Sequence, residues 1–362
     1  MLIGIDGNEA NVKNRVGSNV YAYQLLWQMY NQNSRVKYKI YLKDKPLDDL
    51  PKETEYWQYK VLKPKFLWTQ WRLPMELYLT SEKPDLFFTP GHYAPRFCPS
   101  PTVISIMDLA FLRYPEQFKK SDRYQLVNWT KYSIQKASHI FTISQFTKKE
   151  IIHFYKYPRD KITVTYPGVE NIKYQGSKCK YKNYFLYIGT LQPRKNIIRL
   201  IEAFKTLNNK LVIVGKKGWL YDDIFNKVKE LGLEDKVIFT GFVDEQEKIA
   251  LLQNAIAFVL PSLYEGFGIP VLEAMQAGCP VIISDNSSLP EVGNNAAFYI
   301  RDPYDVGSIE EQLLKMIKLS QSQRKLLVSE GLKQVKKFSW QETASKTLLI
   351  LEEVLKKNEN NR

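Results

Sequence analysis

The stretch from residue 257 to residue 284 reads AFVLPSLYEGFGIPVLEAMQAGCPVIIS. Its two ends are apolar runs that are too short for helices and too uniformly apolar for strands with one exposed face, so they are predicted to be buried parallel strands. Between them, Pro270 suits the start of a helix and Gly278 suits its end. This strand–loop–helix–strand unit predicts a parallel sheet with helices on both faces.

The same alternation of short apolar runs and helical patterns extends in both directions along the chain. It predicts an α/β fold built from doubly wound, Rossmann-like sheets. The runs predicted to be strands are residues 2–5, 38–42, 85–88, 103–106, 139–143, 162–164, 184–188, 211–214, 237–239, 257–260 and 281–283.

The length of 362 residues predicts two domains, since a domain typically has roughly 100–200 residues. The boundary is expected within residues 166–183, where a Pro-Gly turn precedes a polar, Lys-rich run at residues 175–180. Residues 1–168 would form the first domain and residues 169–338 the second. A final amphipathic helix, at about residues 339–358 and opened by Ser339, is expected to pack back on the first domain.

Composition excludes several classes of protein. Apolar residues make up 44% and charged residues 25%, as in ordinary globular proteins and unlike disordered chains, collagens or coiled coils. No apolar run approaches the roughly 18 residues of a membrane-spanning helix, and the first residues lack the basic segment of a secretory signal. The three cysteines and three histidines are scattered, which argues against a metal site. We therefore expect a cytoplasmic protein without a bound metal or cofactor.

The net charge of +14 is distributed unevenly along the chain. Residues 1–169 hold 25 Lys and Arg against 15 Asp and Glu, whereas the remainder holds 27 against 23. A basic first half favours an anionic partner, although solubility alone can also explain it. No nucleic-acid-binding motif is present. The aromatic and lysine-rich stretch 56–79 suits peripheral contact with the inner face of a membrane, but the spacing of Trp68, Trp71 and Met75 favours a buried helix face.

Two glutamates flank the glycine loop of the opening stretch. Gly266 and Gly268 precede the predicted helix, where backbone amides can approach a phosphate at the positive end of the helix dipole. Glu265 lies just before the loop, and Glu273 is expected in the first helical turn. The two carboxylates can accept hydrogen bonds from sugar and ribose hydroxyls. The plainer interpretation is that the glycines only form a turn and Glu273 only complements the dipole.

A basic pair follows the strand at residues 184–188. Arg194 and Lys195 stand before a helix that is expected to start near Asn196, so that two cations and a helix N-terminus would meet at one anionic group. A phosphate or diphosphate is such a group, and fixed cations stabilise negative charge that develops on it. The chain contains no Asp-x-Asp sequence that could hold a divalent metal on such a group, which predicts metal-independent activity.

The Glu-x7-Glu element, Glu265 to Glu273, resembles the signature of the retaining glycosyltransferases of family 4, which have the GT-B fold. Other segments resemble that family in the same order along nearly the whole chain. They are residues 17, 89–92, 108–111, 142–145, 187–196, 212–215, 238–243, 288–293 and 338–340.

The resemblance implies two Rossmann-like domains facing across a cleft. It further implies retaining transfer of a mannose- or glucose-type hexose from a UDP- or GDP-linked sugar to a saccharide or glycolipid, in bacterial polysaccharide biosynthesis. The donor-binding residues it implies are Gly17, Gly189, Arg194, Lys195, Gly266, Phe267, Gly268 and Glu273. Glu265, Asp108, Arg194 and Lys195 would act in catalysis, and His92 and Ser144 would bind the acceptor in the first domain.

One position departs from the family pattern. The family often has histidine immediately before the aspartate that corresponds to Asp108, and here that position is Met107. The departure permits an inactive sugar-nucleotide-binding scaffold, and a nucleotide-sugar hydrolase or epimerase on the same fold is the other alternative. A dinucleotide oxidoreductase is disfavoured because no Gly-x-Gly-x-x-Gly follows the first strand.

Overall fold

The structure is a computed structural model that describes residues 1–32, 36–170, 179–218 and 221–359. Contacts divide the chain into two units, Met1–Gly168 with Ser339–Arg362, and Val169–Phe338. Residues 175–178 of the predicted linker lie outside the described residues.

The first unit is built on a seven-stranded parallel sheet with the order β3-β2-β1-β4-β5-β6-β7. The order reverses between β1 and β4, and the loops that follow these two strands are where open α/β sheets bind ligands. Its elements are β1 (Leu2–Asp6), α1 (Ser18–Asn31), β2 (Lys37–Leu42), β3 (Trp57–Val61), α2 (Leu73–Leu79), β4 (Leu86–Thr89), β5 (Thr102–Ile106), α3 (Ala110–Arg113), α4 (Lys120–Lys136), β6 (His139–Thr142), α5 (Gln145–Tyr155) and β7 (Ile162–Val164).

The second unit has a six-stranded parallel sheet with the order β10-β9-β8-β11-β12-β13. Its elements are β8 (Tyr184–Ile188), α6 (Ile197–Ala203), β9 (Lys210–Val214), α7 (Asp222–Glu230), β10 (Val237–Gly241), α8 (Glu245–Asn254), β11 (Phe258–Leu260), α9 (Ile269–Gln276), β12 (Val281–Ser284), α10 (Leu289–Gly293), β13 (Ala297–Ile300), α11 (Val306–Ile317) and α12 (Gln321–Val335). The chain then returns to the first unit as α13 (Trp340–Glu359), whose Trp340 ring meets Tyr21 of α1 edge-on at 6.0 Å.

The predicted α/β fold with doubly wound parallel sheets is confirmed, and each of the eleven predicted runs contains a strand. Sequence reasoning missed β3 and β13. Both are edge strands whose residues are largely half-exposed. Gln58 and Lys60 interrupt the apolar pattern of β3 by which buried parallel strands are found, whereas the four residues of β13 are apolar or aromatic and did carry that signal.

The predicted buried face at Trp68, Trp71 and Met75 is wrong for Trp71. Trp68 is buried, but Trp71 is exposed. One turn of π-helix, Trp68–Arg72, leads into α2. A π-turn has more residues per turn than the α-helix, so side chains spaced by three and four residues no longer share one face.

Candidate functional site

The candidate site of the second unit lies in the loops that follow β8, β11 and β12, which are adjacent parallel strands. Hydrogen bonds join these loops. The Leu263 N–H donates to the carbonyl oxygen of Arg194 at 2.8 Å, and the Asn286 amide donates to that of Ser262 at 3.2 Å. Three segments far apart in sequence thus form one edge of the sheet.

Asn196 fixes the position of the basic pair. It adopts the left-handed conformation, with φ 61°, between a short 3-10 turn at Pro193–Lys195 and the first residue of α6. Its buried side-chain amide donates to the carbonyl oxygens of Pro261, at 3.1 Å, and Pro303, at 2.6 Å. Asparagine tolerates this backbone better than most residues, and that is the only local signal that sequence reasoning could have used.

Arg194, Lys195 and Glu265 form one buried ionic cluster. Lys195 Nζ lies 2.6 and 2.8 Å from the two carboxylate oxygens of Glu265, and Arg194 Nη1 lies 3.7 Å from Oε2. Arg194 Nη1 also donates to the carbonyl oxygen of Tyr264 at 3.0 Å. The exposed fractions of the three side chains are 17% for Arg194, 14% for Lys195 and 9% for Glu265. Sequence-predicted site residues from two different loops are therefore brought together.

The cluster holds the Glu265 side chain as a carboxylate. Burial acts to raise its pKa, but the charges of Lys195 and Arg194 and a 2.7 Å hydrogen bond from Ser262 Oγ outweigh burial. The pKa of Glu265 consequently lies below its ordinary value. Two cations face one anion, which leaves an excess of positive charge at this edge of the sheet.

Serines fix the backbone of the glutamate–glycine loop. The hydroxyl of Ser288, which is buried, has one hydrogen to share between the carbonyl oxygens of Glu265 and Phe267, at 2.8 and 2.9 Å. The Glu265 N–H donates to Ser287 Oγ at 3.1 Å. Sequence reasoning did not assign Ser262, Ser287 or Ser288 to the site, because a single serine has no characteristic spacing.

The glycine loop leads into α9 as expected. Gly268 precedes the first helical residue with φ 117°, a conformation that side-chain-bearing residues rarely adopt. The Phe267 side chain is buried and packs edge-on against Phe338 at 5.5 Å. Backbone groups are therefore the part of Phe267 that can serve a ligand.

Glu273 lies elsewhere than predicted. It is the fifth residue of α9 and so belongs to the second turn, because the helix begins at Ile269, immediately after Gly268. Its carboxylate accepts from Lys248 Nζ at 3.1 Å. Burial raises the pKa of Glu273, and the charge of Lys248 opposes the rise. Each glutamate of the pair thus has its own lysine.

Gly189 follows β8 and lies beside Gly215, which follows β9. Gly215 has φ 151°, and a Cβ there would lie 1.9 Å from the carbonyl oxygen of Gly189. The two strand ends approach so closely that position 215 requires glycine. A Cβ at position 189 would itself lie 2.7 Å from the Tyr187 hydroxyl, so a larger residue fits at neither strand end without a shift.

The candidate residues of the first unit lie after β1, β5 and β6. Gly17, with φ 54°, precedes α1, and a Cβ there would meet open space. Asp108 Oδ1 accepts from the Ala110 N–H at 3.0 Å. Ser144 is buried and accepts from the Thr147 N–H at 3.0 Å as the N-cap of α5. The Ser144 hydroxyl is therefore engaged in capping α5 and is not assigned to the acceptor.

His92, in the loop after β4, joins these residues through Met107. Its Nε2 accepts from the Met107 N–H at 3.0 Å, which places the proton of the neutral ring on Nδ1. Nδ1 is buried and has no hydrogen-bond partner among the described residues. Burial lowers the pKa of His92 against the opposing charge of Asp108, so the ring is neutral at pH 7.

Sequence reasoning missed Glu9, which lies in the loop after β1. Its Oε2 accepts from Ser18 Oγ at 3.2 Å and from Asn19 Nδ2 at 2.8 Å, at the start of α1. Burial raises the pKa of Glu9, and the nearby charge of Asp6 adds to the rise. Gly91 is close by, since a Cβ there would lie 3.4 Å from Glu9 Cγ. The loops after β1 and β4 thus meet where the strand order reverses.

Within the described part of the chain, no group of three or more His, Cys, Asp and Glu residues is placed to hold a metal ion. None of the described helices combines the length and apolar character needed to cross a membrane.

Two family models match the chain. The model for glycosyl transferases group 1 matches residues 169–331, and that for Glycosyltransferase Family 4 matches residues 17–171. The chain is 33% identical to O-antigen chain mannosyltransferase B of Escherichia coli, over 75% of this chain and 74% of that protein. It is 34% identical to O-antigen chain mannosyltransferase RfbU of Salmonella typhimurium, over 54% of this chain and 56% of that protein.

Solved structures with the same fold include a sucrose-phosphate synthase from Thermosynechococcus elongatus. Its TM-score is 0.76 at 17% identity, covering 98% of both chains. HepE of Anabaena in complex with UDP-glucose has a TM-score of 0.73 at 17% identity, covering 97% of this chain and 99% of that one.

Two doubly wound parallel units, one carrying a basic pair against a glutamate–glycine loop, define a GT-B glycosyltransferase. The chain belongs to the group 1 glycosyltransferases of family 4, as the resemblance implied.

Proposed function

We propose that the protein transfers a mannose- or glucose-type hexose from a nucleoside diphosphate sugar to a saccharide or glycolipid hydroxyl, with retention of configuration. The observation that carries this proposal is the buried cluster of Arg194, Lys195 and Glu265 at the ends of β8 and β11. It joins two cations to the backbone and carboxylate of the glutamate–glycine loop that leads into α9.

The charges of the cluster suit a diphosphate. Arg194 can donate two parallel hydrogen bonds to phosphate oxygens, and Lys195 adds a compact charge. Both cations are held in advance, one by the Tyr264 carbonyl and the other by Glu265, so little reorganisation is needed when negative charge develops on the leaving group. Glu273 would accept from donor hydroxyls at the far side of the glycine loop.

Retention fits a same-face reaction. The leaving diphosphate oxygen would take the proton of the acceptor hydroxyl while that hydroxyl attacks the anomeric carbon. In this scheme the roles of Arg194 and Lys195 are to stabilise the departing diphosphate, and no protein nucleophile is required.

The first unit supplies the groups that we assign to the acceptor. His92 has a buried Nδ1–H that has no partner among the described residues. Asp108, which follows the Met107 whose N–H donates to His92, offers a carboxylate. A neutral donor and an acceptor suit the hydroxyls of a saccharide. The relatives named above are O-antigen chain mannosyltransferases, which favours GDP-mannose as donor and polysaccharide assembly as the setting.

A thermal-shift screen without added metal tests the donor. UDP, GDP and their hexose conjugates are compared, because a ligand that binds the native state must raise Tm. Donor turnover is then measured with and without a synthetic α-mannoside as acceptor probe. Acceptor-dependent turnover supports a transferase, turnover without acceptor supports a hydrolase, and binding without turnover supports a scaffold.

Transfer is expected to survive saturating EDTA. Arg194 and Lys195 supply the positive charge that a divalent metal would otherwise bring to the diphosphate. The measurement is the initial rate before and after chelation. Loss of activity that manganese or magnesium restores would show that the cations alone are insufficient.

Replacing Glu273 by glutamine is expected to lower transfer without unfolding the protein. A lost charged hydrogen bond costs on the order of 1.5–3 kcal/mol, which is roughly a 10- to 150-fold fall in kcat/KM. The matched control is Glu245→Gln, since exposed Glu245 also pairs with Lys248, at 2.9 Å. If both variants lose activity equally, Glu273 acts only through Lys248.

A further inference from the structure

Large apolar side chains are exposed in one short region of the first unit. The exposed fractions are 69% for Phe66, 45% for Leu67, 46% for Trp71 and 72% for Phe97. Tyr78 and Leu79, at the end of α2, are also exposed. Single exposed apolar residues are common, but a group of this size marks an interaction surface.

Hydrogen bonds hold these residues on one folded block. The Arg96 N–H donates to the Thr69 carbonyl at 2.7 Å, and Arg96 Nε donates to Gln70 Oε1 at 2.8 Å. On the other side, Arg72 Nε donates to the Lys63 carbonyl at 2.7 Å. The segments 63–72 and 96–97 are thus joined, and their apolar side chains are presented by a fixed backbone.

The backbone at two of these positions is unfavourable for the residue it carries. Leu67 has φ 44° and Phe97 has φ 50°, in the left-handed region where bulky residues are rare. Glycine or asparagine would fit the conformation better, and neither side chain is buried. Folding therefore does not explain leucine and phenylalanine at these positions, whereas contact with an apolar medium does.

Cations border the apolar side chains. Lys63 and Lys65 are both more than half exposed and share one anionic partner, Asp44, at 3.2 and 2.7 Å, and Lys63 also donates to the Lys43 carbonyl. Over residues 60–97 the chain has six Lys and Arg against three Asp and Glu. A partner with an apolar interior and an anionic surface is complementary to this arrangement, and a bilayer containing anionic lipids has both properties.

We propose that Phe66, Leu67, Trp71 and Phe97, called here the aromatic edge, insert into the headgroup region of an anionic membrane while Lys63 and Lys65 contact lipid phosphates. The protein binds at the membrane surface, and binding requires both the insertion of the apolar side chains and the contacts of the lysines with lipid phosphates. Neither the identity of the sugar nor the transfer reaction enters this inference, so it stands or fails independently of the proposed function.

Sedimentation with vesicles tests the proposal. The full-length protein should pellet with vesicles of phosphatidylglycerol and phosphatidylcholine (3:7) and remain in solution with phosphatidylcholine alone. The triple variant Phe66→Ser, Trp71→Ser, Phe97→Ser should partition at least about tenfold more weakly. The matched control, Leu326→Ser, Leu332→Ser, Leu349→Ser, removes three exposed leucines elsewhere and should bind as the wild type does.

Stability separates a docking role from a structural one. Phe97→Asn should raise Tm, because asparagine suits φ 50°, and should still weaken vesicle binding. A fall in Tm would make Phe97 a packing residue and contradict the proposal. Equal binding by the wild type and the serine triple, or no binding to anionic vesicles, would overturn it. A dimer seen by light scattering that the triple serine variant disrupts and the control variant does not would also overturn the proposal. The occupant of the aromatic edge would then be a second copy of the chain.

Discussion

Arg194→Ala is expected to lower kcat/KM for the donor roughly 100-fold, corresponding to a loss of about 3 kcal/mol of transition-state stabilisation. The guanidinium is fixed in advance by the Tyr264 carbonyl at 3.0 Å and by Gln192 Oε1 at 3.3 Å. Charge builds on the leaving diphosphate only as the glycosidic bond breaks, so a fixed cation contributes most at that point. We therefore expect kcat to fall as well as the donor KM to rise.

Steady-state kinetics with varied donor at saturating acceptor measure this effect. Arg194→Lys should restore activity only in part, because an ammonium group lacks the planar fork that meets two phosphate oxygens. Arg301→Ala is the control, since Arg301 is an exposed arginine of the same unit that pairs with Asp285. A change confined to the acceptor KM would move the basic pair to the acceptor site and refute the proposed donor site.

Glu265→Gln is expected to reduce both stability and transfer. The carboxylate is the shared partner of Lys195 and Arg194, whose side chains are largely buried. Removing its charge takes from both cations the carboxylate that they share, at a cost of roughly 2–4 kcal/mol. The kcat/KM should also fall on the order of 100-fold, because Lys195 loses the hydrogen bonds that orient it.

Nucleoside diphosphate should partly replace the missing charge. We expect UDP or GDP, whichever binds, to raise the Tm of Glu265→Gln by more than it raises that of the wild type. Glu230→Gln, which removes an exposed partner of Lys227, should leave Tm and activity unchanged. An unchanged Tm for ligand-free Glu265→Gln would contradict the counterion role.

The stability effect of Glu265 depends on pH. Its pKa is lowered from 4.5 in the folded state, so the stabilisation is complete above 4.5 and is lost as the pH falls through the lower folded value. The difference in Tm between the wild type and Glu265→Gln should accordingly be largest near neutral pH and shrink below pH 4.5.

Much of this fold could be predicted because buried parallel strands are uniformly apolar. The strands that hold the site, β8, β11 and β12, were all found on that basis, and the turn residues Pro270 and Gly278 bounded α9. The edge strands β7 and β10 were found in the same way, whereas β3 escaped because Gln58 and Lys60 interrupt its apolar pattern. The exposure of Trp71 was not predicted, because a single π-turn rotates the following side chains around the helix axis and no residue type in the sequence signals such a turn.

The candidate site was predictable as a set of residues but not as a set of contacts. Spacing indicated that Arg194, Lys195 and Glu265 all follow strands, yet their ion pairs depend on β8 and β11 being neighbours. The buried serines and Asn196 organise the loops through single hydrogen bonds over long sequence separations. The protonation of His92 at its buried Nδ1 likewise depends on the hydrogen bond from the Met107 N–H, which no local sequence pattern indicates.

The return of α13 to the first unit has a consequence for the order of assembly during synthesis. The second unit is contiguous in sequence and can complete its sheet as soon as residue 338 has emerged from the ribosome, whereas the first unit lacks the helix that carries Trp340. The first unit should therefore finish folding last, although it is synthesised first. Limited proteolysis of a chain ending at residue 338 should digest the first unit and spare the second.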